Sequence, residues 1–147
     1  MVRIRSAGTE DWLVVQELLG QLGYLFTAAE VQARLSLLAM SIYDPVLLAT
    51  QDDKVVGMIA LHFATMLQQI EPVAQVTALV VDDGIRGAGI GKALIAAGCD
   101  LANQSGCGRM ELRTANGRTE AHAFYRKLGF VNSAVGFSRT AKETAAS

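Results

Sequence analysis

Residues 80 to 92 read Val80-Val81-Asp82-Asp83-Gly84-Ile85-Arg86-Gly87-Ala88-Gly89-Ile90-Gly91-Lys92, an apolar run that passes through a glycine loop into apolar residues at helical spacing. Glycines let several backbone N–H groups turn into one concavity, and a helix starting behind them adds the positive end of its dipole. Such a loop is suited to an anion, usually a phosphate. A P-loop would need Gly-x4-Gly-Lys-Ser/Thr, but the position five before Gly91 is Arg86 and Lys92 is followed by Ala93, which has no hydroxyl for magnesium. A dinucleotide fingerprint would need Gly-x-Gly-x-x-Gly, whereas the third glycine arrives one residue early in Gly87-x-Gly89-x-Gly91. What remains is Arg86-x-x-Gly89-x-Gly91, with a tight turn at a helix start as the competing reading.

A second constellation follows: Glu120-Ala121-His122-Ala123-Phe124-Tyr125-Arg126-Lys127-Leu128-Gly129-Phe130, with Asn116 nine residues before the tyrosine. The two segments together resemble the GCN5-related N-acetyltransferase (GNAT) superfamily. In that superfamily the first loop wraps the coenzyme A pyrophosphate behind a strand reading Leu-x-Val, here Leu79-Val80-Val81, and an Ala-x-x-Phe-Tyr-x-x-x-Gly-Phe helix closes the domain. The resemblance covers residues 2 to 140.

The resemblance implies acetyl-CoA as co-substrate and transfer of its acetyl group to the primary amine of a small molecule, by direct attack in a ternary complex. It implies that Arg86, Gly87, Ala88, Gly89, Ile90, Gly91 and Lys92 cradle the diphosphate and that Asn116 also contacts the cofactor. Leu79 and Val81 would pair with the pantetheine amides as with an added strand, and an N–H near Leu79 or Val80 would meet the thioester oxygen. A solvated surface arginine is the competing reading of Arg86. Tyr125 would protonate the departing thiolate, since a phenol has a free pKa of ~10, near that of the thiol formed. Helical spacing by itself makes Tyr125 a core-facing aromatic, and only the motif reverses that.

The acceptor must lose a proton before it can attack, because an alkylammonium has no free lone pair. Members of the superfamily often place a glutamate on the fourth strand for this, but the matching positions here hold Gln75, Thr77 and Ala78. Glu71 is the substitute carboxylate, with His62 and a water chain as alternatives. A lone strand histidine such as His62 is more often packed or half-exposed, and His122 reads as helix surface. Two histidines without a Cys-x-x-Cys pair build no zinc site. Acceptor contacts would come from Tyr24, Phe26, Tyr43, Asp44, Gln68, Gln69 and Glu71, and the stretch Val56 to His62 is similar to aminoalkylphosphonate acetyltransferases. An acyl-CoA-binding regulatory domain without turnover, a peptide or protein N-acetyltransferase and a purely structural domain are the rival readings.

The elements that must position these residues follow from periodicity. Val2 to Arg5 alternates as a strand, and Thr9 precedes a helix stripe of Trp12, Val15, Leu19 and Leu22. Thr27 and Glu30 have capping-box spacing ahead of Val31, Leu35 and Leu38. Strands are expected at 46–49, 54–63, 75–81 and 109–114, helices at 89–104 and across Ala121 to Leu128, and a last strand or hairpin at 130–140. The order β-α-α-β-β-β-α-β-α-β is an α/β (α+β) arrangement. The resemblance makes it the GNAT fold, a mixed sheet of six to seven strands flanked by four helices.

The whole of residues 1 to 147 is expected to form a single domain, with 51% hydrophobic residues to fill its core. The 13 basic and 14 acidic side chains nearly cancel, which argues against nucleic acid or a membrane surface as partner. No apolar run has the length of a signal core or membrane span, so a cytoplasmic protein is expected. Cys99 and Cys107 read as reduced packing residues. A homodimer is an expectation from the superfamily alone.

Overall fold

A computed structural model describes residues 1–85, 89–113, 119–133 and 136–142. They fall in two compact units, Met1–Arg113 and Thr114–Ser147.

The first unit holds the sheet. Its elements are β1 (Val2–Ser6), α1 (Trp12–Gln21), α2 (Ala28–Ala39), β2 (Val46–Gln51), β3 (Lys54–Ala64), β4 (Val73–Val81), α3 (Ile90–Gln104) and β5 (Arg109–Leu112). The strands lie in the order β1-β2-β3-β4-β5. The first three pairings are antiparallel and β4–β5 is parallel. Local chemistry explains the boundaries. Asp52 and Asp53 both take positive φ, 52° and 61°, which a two-residue turn between right-twisted strands requires. Thr27 accepts from Glu30 N–H while the Glu30 carboxylate accepts from Thr27 N–H, so the expected capping box starts α2. Thr9 does not cap α1; it begins a 3-10 turn, Thr9–Asp11, in which Asp11 accepts from Gly8 N–H and is gripped by Arg5.

Each face of the sheet is covered by different helices. Leu48, Met58 and Val80 pack with Val15, Leu18, Val31 and Leu35 of α1 and α2. Ile59 and Leu61 point the other way, where a Cβ added to Gly98 of α3 would stand 3.3 Å from each. The N-terminal turn of α3 closes tightly on the strands. At Gly57 of β3 an added Cβ would lie 3.0 Å from Leu94 Cδ1 and from the Val80 carbonyl, and 3.1 Å from Ile90 Cγ2.

The second unit contains α4 (Thr119–Lys127). Its end is a Schellman stop: Gly129 N–H donates to the Arg126 carbonyl, Phe130 N–H donates to the Tyr125 carbonyl, and Gly129 takes φ 94°. The strand expected at 130–140 is not formed among the described residues, which leaves five strands instead of six or seven. Val131 and Phe137 stand exposed there, so this stretch has no apolar alternation satisfied by packing.

Candidate active site

The glycine loop leaves β4 under restraint from α1. Gln21, in the last turn of α1, donates to Asp82 Oδ1 (3.1 Å) and accepts from Asp83 N–H (3.0 Å), and Ile85 N–H closes a 3-10 turn on the Asp82 carbonyl. Arg86, Gly87 and Ala88 lie outside the described residues, as does Asn116. The chain re-enters at Gly89, the residue before α3, with φ 77° and nothing within 4 Å of the position a Cβ would take. A left-handed backbone next to open space at a helix N-terminus suits a phosphate that approaches the main chain. Ile90, directly after it, is buried and anchors the helix end.

Strand β4 carries the second element of the site. Its pairing with β3 shifts between Ala60/Ala78 and Leu61/Val76, so Thr77 is an extra, bulged residue. On its other side it pairs with β5 only from Val73/Arg109 to Val76/Leu112. The bulge and the last β5 pair coincide, and from there to Val81 β4 is paired on the β3 side alone among the described residues. Asp82 N–H donates to the Val56 carbonyl (2.8 Å), and the register sets Val81 opposite Gly57 and Val80 opposite Met58. Bonded and non-bonded pairs alternate in an antiparallel ladder. Val80 therefore turns its N–H and C=O toward β3, whereas Leu79 and Val81 turn theirs to the side that β5 has left. An extended ligand can add there as a strand.

The third element stands on β3. Residues 43 to 45 run beside the strand, with Leu61 N–H donating to the Pro45 carbonyl and Phe63 N–H to the Tyr43 carbonyl. This brings Asp44 to His62: Nδ1 lies 2.7 Å from Asp44 Oδ1, while Ser41 Oγ donates to Asp44 Oδ2 at 2.7 Å. The Ser41 hydrogen bond, then that of His62, holds the Asp44 carboxyl below the usual carboxylate range. An ionised carboxylate only accepts, so Nδ1 is the donor, and in the neutral ring Nε2 carries the lone pair. By alternation from Met58, His62 faces the α1/α2 side, opposite Gln75 of β4, which is opposite Glu111 of β5. These three side chains make one row across the sheet.

A match to the acetyltransferase (GNAT) family model covers residues 14–130. The chain belongs to that family. It is 34% identical over 139 residues to the aminoalkylphosphonate N-acetyltransferase of Salmonella typhimurium strain LT2, a match covering 92% of this chain and 89% of that protein. Its fold is similar to that of a protein described as a transcriptional regulator from Bacillus halodurans C-125 (TM-score 0.87, 23% identity, 95% of this chain and 99% of that one). It is also similar to that of AAC(6')-Iy in complex with the bisubstrate analogue CoA-S-monomethyl-acetylneamine (TM-score 0.84, 21% identity, 95% and 98%).

In this GNAT acetyltransferase the expected site residues are distributed unevenly. Leu79, Val80, Val81, Gly89, Ile90, Gly91 and Lys92 lie along the β4 end and the start of α3. Glu71 does not join them. It is exposed in the turn before β4, its side chain lying over Gly108, and eight residues of extended chain, about 25 Å, separate it from Leu79. Parallel pairing of β5 puts the start of that strand beside the start of β4, at the end opposite the splay. Tyr125 is half-buried on α4, edge-on to Phe130 at 5.9 Å and to Phe124 at 5.4 Å. The Tyr125–Phe130 contact is the apolar partner of the helix stop, so the Tyr-x-x-x-Gly-Phe spacing has a structural cause of its own.

The pairing of Asp44 with His62 escaped sequence reasoning, because strand β2 and the turn after it separate the two, which stand 18 positions apart, and no spacing rule joins them. Among the described residues no three His, Cys, Asp or Glu side chains cluster for a metal. No helix there is long and apolar enough to cross a membrane. Cys99 and Cys107 are free thiols, both pushed up from the ordinary thiol range by burial.

Proposed function

We propose that this chain, acting as one domain over residues 1–147, transfers the acetyl group of acetyl-CoA to the primary amine of a small phosphonate-bearing molecule. The reaction runs by direct attack in a ternary complex. The observation that carries the reading is the half-paired end of β4, where Leu79 and Val81 offer backbone groups beside a glycine turn and a helix N-terminus.

In this reading the pantetheine arm pairs with Leu79 and Val81 as a short added strand. The Leu79 N–H, turned to that side, meets the thioester oxygen and stabilises the charge that develops on it, whereas the Val80 N–H is engaged by β3. Residues 86 to 92 hold the diphosphate, with the Arg86 guanidinium adding positive charge. Asn116 is a further cofactor contact. Tyr125 supplies the proton that the departing thiolate needs. The acceptor class rests on the relative from Salmonella typhimurium, whose name gives an aminoalkylphosphonate as its substrate and whose match spans 92% of this chain.

The experiment is a thiol-release assay with acetyl-CoA and two acceptors, an aminoalkylphosphonate and the alkylamine of equal length without the phosphonate. The expected result is turnover with kcat/KM at least ~10-fold higher for the phosphonate, the order of one charge-assisted contact. Absence of thiol release with either amine would falsify the transferase reading. Equal rates would remove the phosphonate from it.

A further inference from the structure

We propose that His62, oriented by Asp44 and Ser41, is the base that takes the proton from the acceptor ammonium. The proposal rests on the acetyl-transfer reading above.

The row His62–Gln75–Glu111 crosses the sheet immediately before the β4 bulge. Gln75 lies two residues, about 7 Å of strand, ahead of Thr77, where β4 parts from β5. On β4 the row ends in a carboxamide, which cannot accept a proton at neutral pH. One strand over, the same row carries an imidazole. Its side chain is 43% exposed, and Nδ1 is engaged by Asp44 at 2.7 Å. Asp44 is itself fixed by Ser41 Oγ at 2.7 Å, and Ser41 Oγ accepts from Tyr43 N–H at 3.2 Å. The loop between α2 and β2 thus sets the ring's tautomer and orientation, as an imidazole base requires. The other charged groups on this row are Glu111 and its ion-pair partner Arg109, at 3.3 Å from each other and two strands from the ring. Glu71 is at the far end of β4, and the two titratable groups in the row are Glu111, ion-paired with Arg109, and His62, oriented by Asp44.

The proton balance closes. The ammonium gives one proton to Nε2, and the freed lone pair forms the N–C bond to the thioester carbonyl. The C–S bond breaks, sulfur departs as thiolate and takes the Tyr125 proton, and the surplus proton on the new amide nitrogen returns to the phenolate through water. His62 then releases its proton to solvent. The sum is ammonium plus thioester giving amide, thiol and one proton.

The test measures kcat/KM for the amine against pH in wild type, His62→Gln and Asp44→Asn, with acetyl-CoA affinity measured by calorimetry as a check on folding. H62Q should be about 10²-fold slower near pH 7 and keep rising ~tenfold per pH unit, following the free-amine fraction toward the ammonium pKa of ~10. D44N should lose ~10-fold with acetyl-CoA affinity unchanged. Added imidazole should restore activity to His62→Ala in proportion to its concentration, which a purely structural role would not produce. An H62Q rate and pH profile equal to wild type, in an active enzyme, overturns the base assignment alone. A wild type that releases no thiol overturns the transfer reading and the base together. A D44N rate equal to wild type removes the orienting role of Asp44.

Discussion

Among the described residues strand β4 is bonded to β3 along its whole length but to β5 only over its first four residues, so the two edges of one strand differ. On the β3 edge the ladder around Met58 and Val80 is backed by core. Met58 and Val80 are opposite one another and both join the α1/α2 cluster, while Leu94 and Ile90 close over Gly57 from the other face. On the β5 edge the ladder stops at a bulge, and Leu79 and Val81 are left with outward backbone groups. A sheet edge of this kind is ordinarily a liability. Here it is short, it ends in a glycine turn, and it lies beside a helix N-terminus, so the groups that would promote aggregation are instead available to an extended ligand.

The largest expected effect breaks the closed edge. Leu94 is 0% exposed, and Leu94→Ala should lower unfolding free energy by ~3–5 kcal/mol in denaturant titration. The transferred chemistry comes next: Tyr125→Phe should lower kcat by ~10²-fold, near 2.7 kcal/mol in the barrier, with acetyl-CoA affinity nearly intact. An unchanged kcat would return Tyr125 to its helix-stop role.

Filling the open side should act on binding. Among the described residues nothing lies within 4 Å of a Cβ at Gly89, so Gly89→Val should weaken coenzyme A binding at least ~10-fold in calorimetry. The φ of 77° should also cost ~1–3 kcal/mol of stability. Wild-type affinity in the folded variant would contradict the cradle. The smallest effect sharpens the comparison itself. On adding acetyl-CoA, the amides of Leu79 and Val81 should gain hydrogen-exchange protection, whereas that of Val80, already directed to β3, should change little.

Much of the fold was legible because it is written in short-range patterns. The strands at 46–51 and 54–64 and the helix from Ile90 to Gln104 lie within a few residues of where alternation and the i, i+4 stripe put them. The stretch after Phe130 was not legible. Val131 and Phe137 supply apolar residues for a strand, but pairing depends on a partner edge that local sequence does not encode. The separation of Glu71 from Leu79 was not legible for a related reason. Glu71 is close to the site in numbering, yet a strand carries its residues apart at ~3.4 Å each, so a residue before β4 and one near its end stand far from each other.

By itself the sequence determined the capping box at Thr27 and Glu30, the Gly129 helix stop and the order of elements from β1 to α4, all of which are settled by hydrogen bonds and dihedral preferences within short segments. Only the tertiary structure decided that β4 parts from β5 at Thr77, that Leu79 and Val81 face the gap, and that Asp44 meets His62. Those facts depend on strand register and loop path, which are set by burial summed over the whole sheet and not by any one segment.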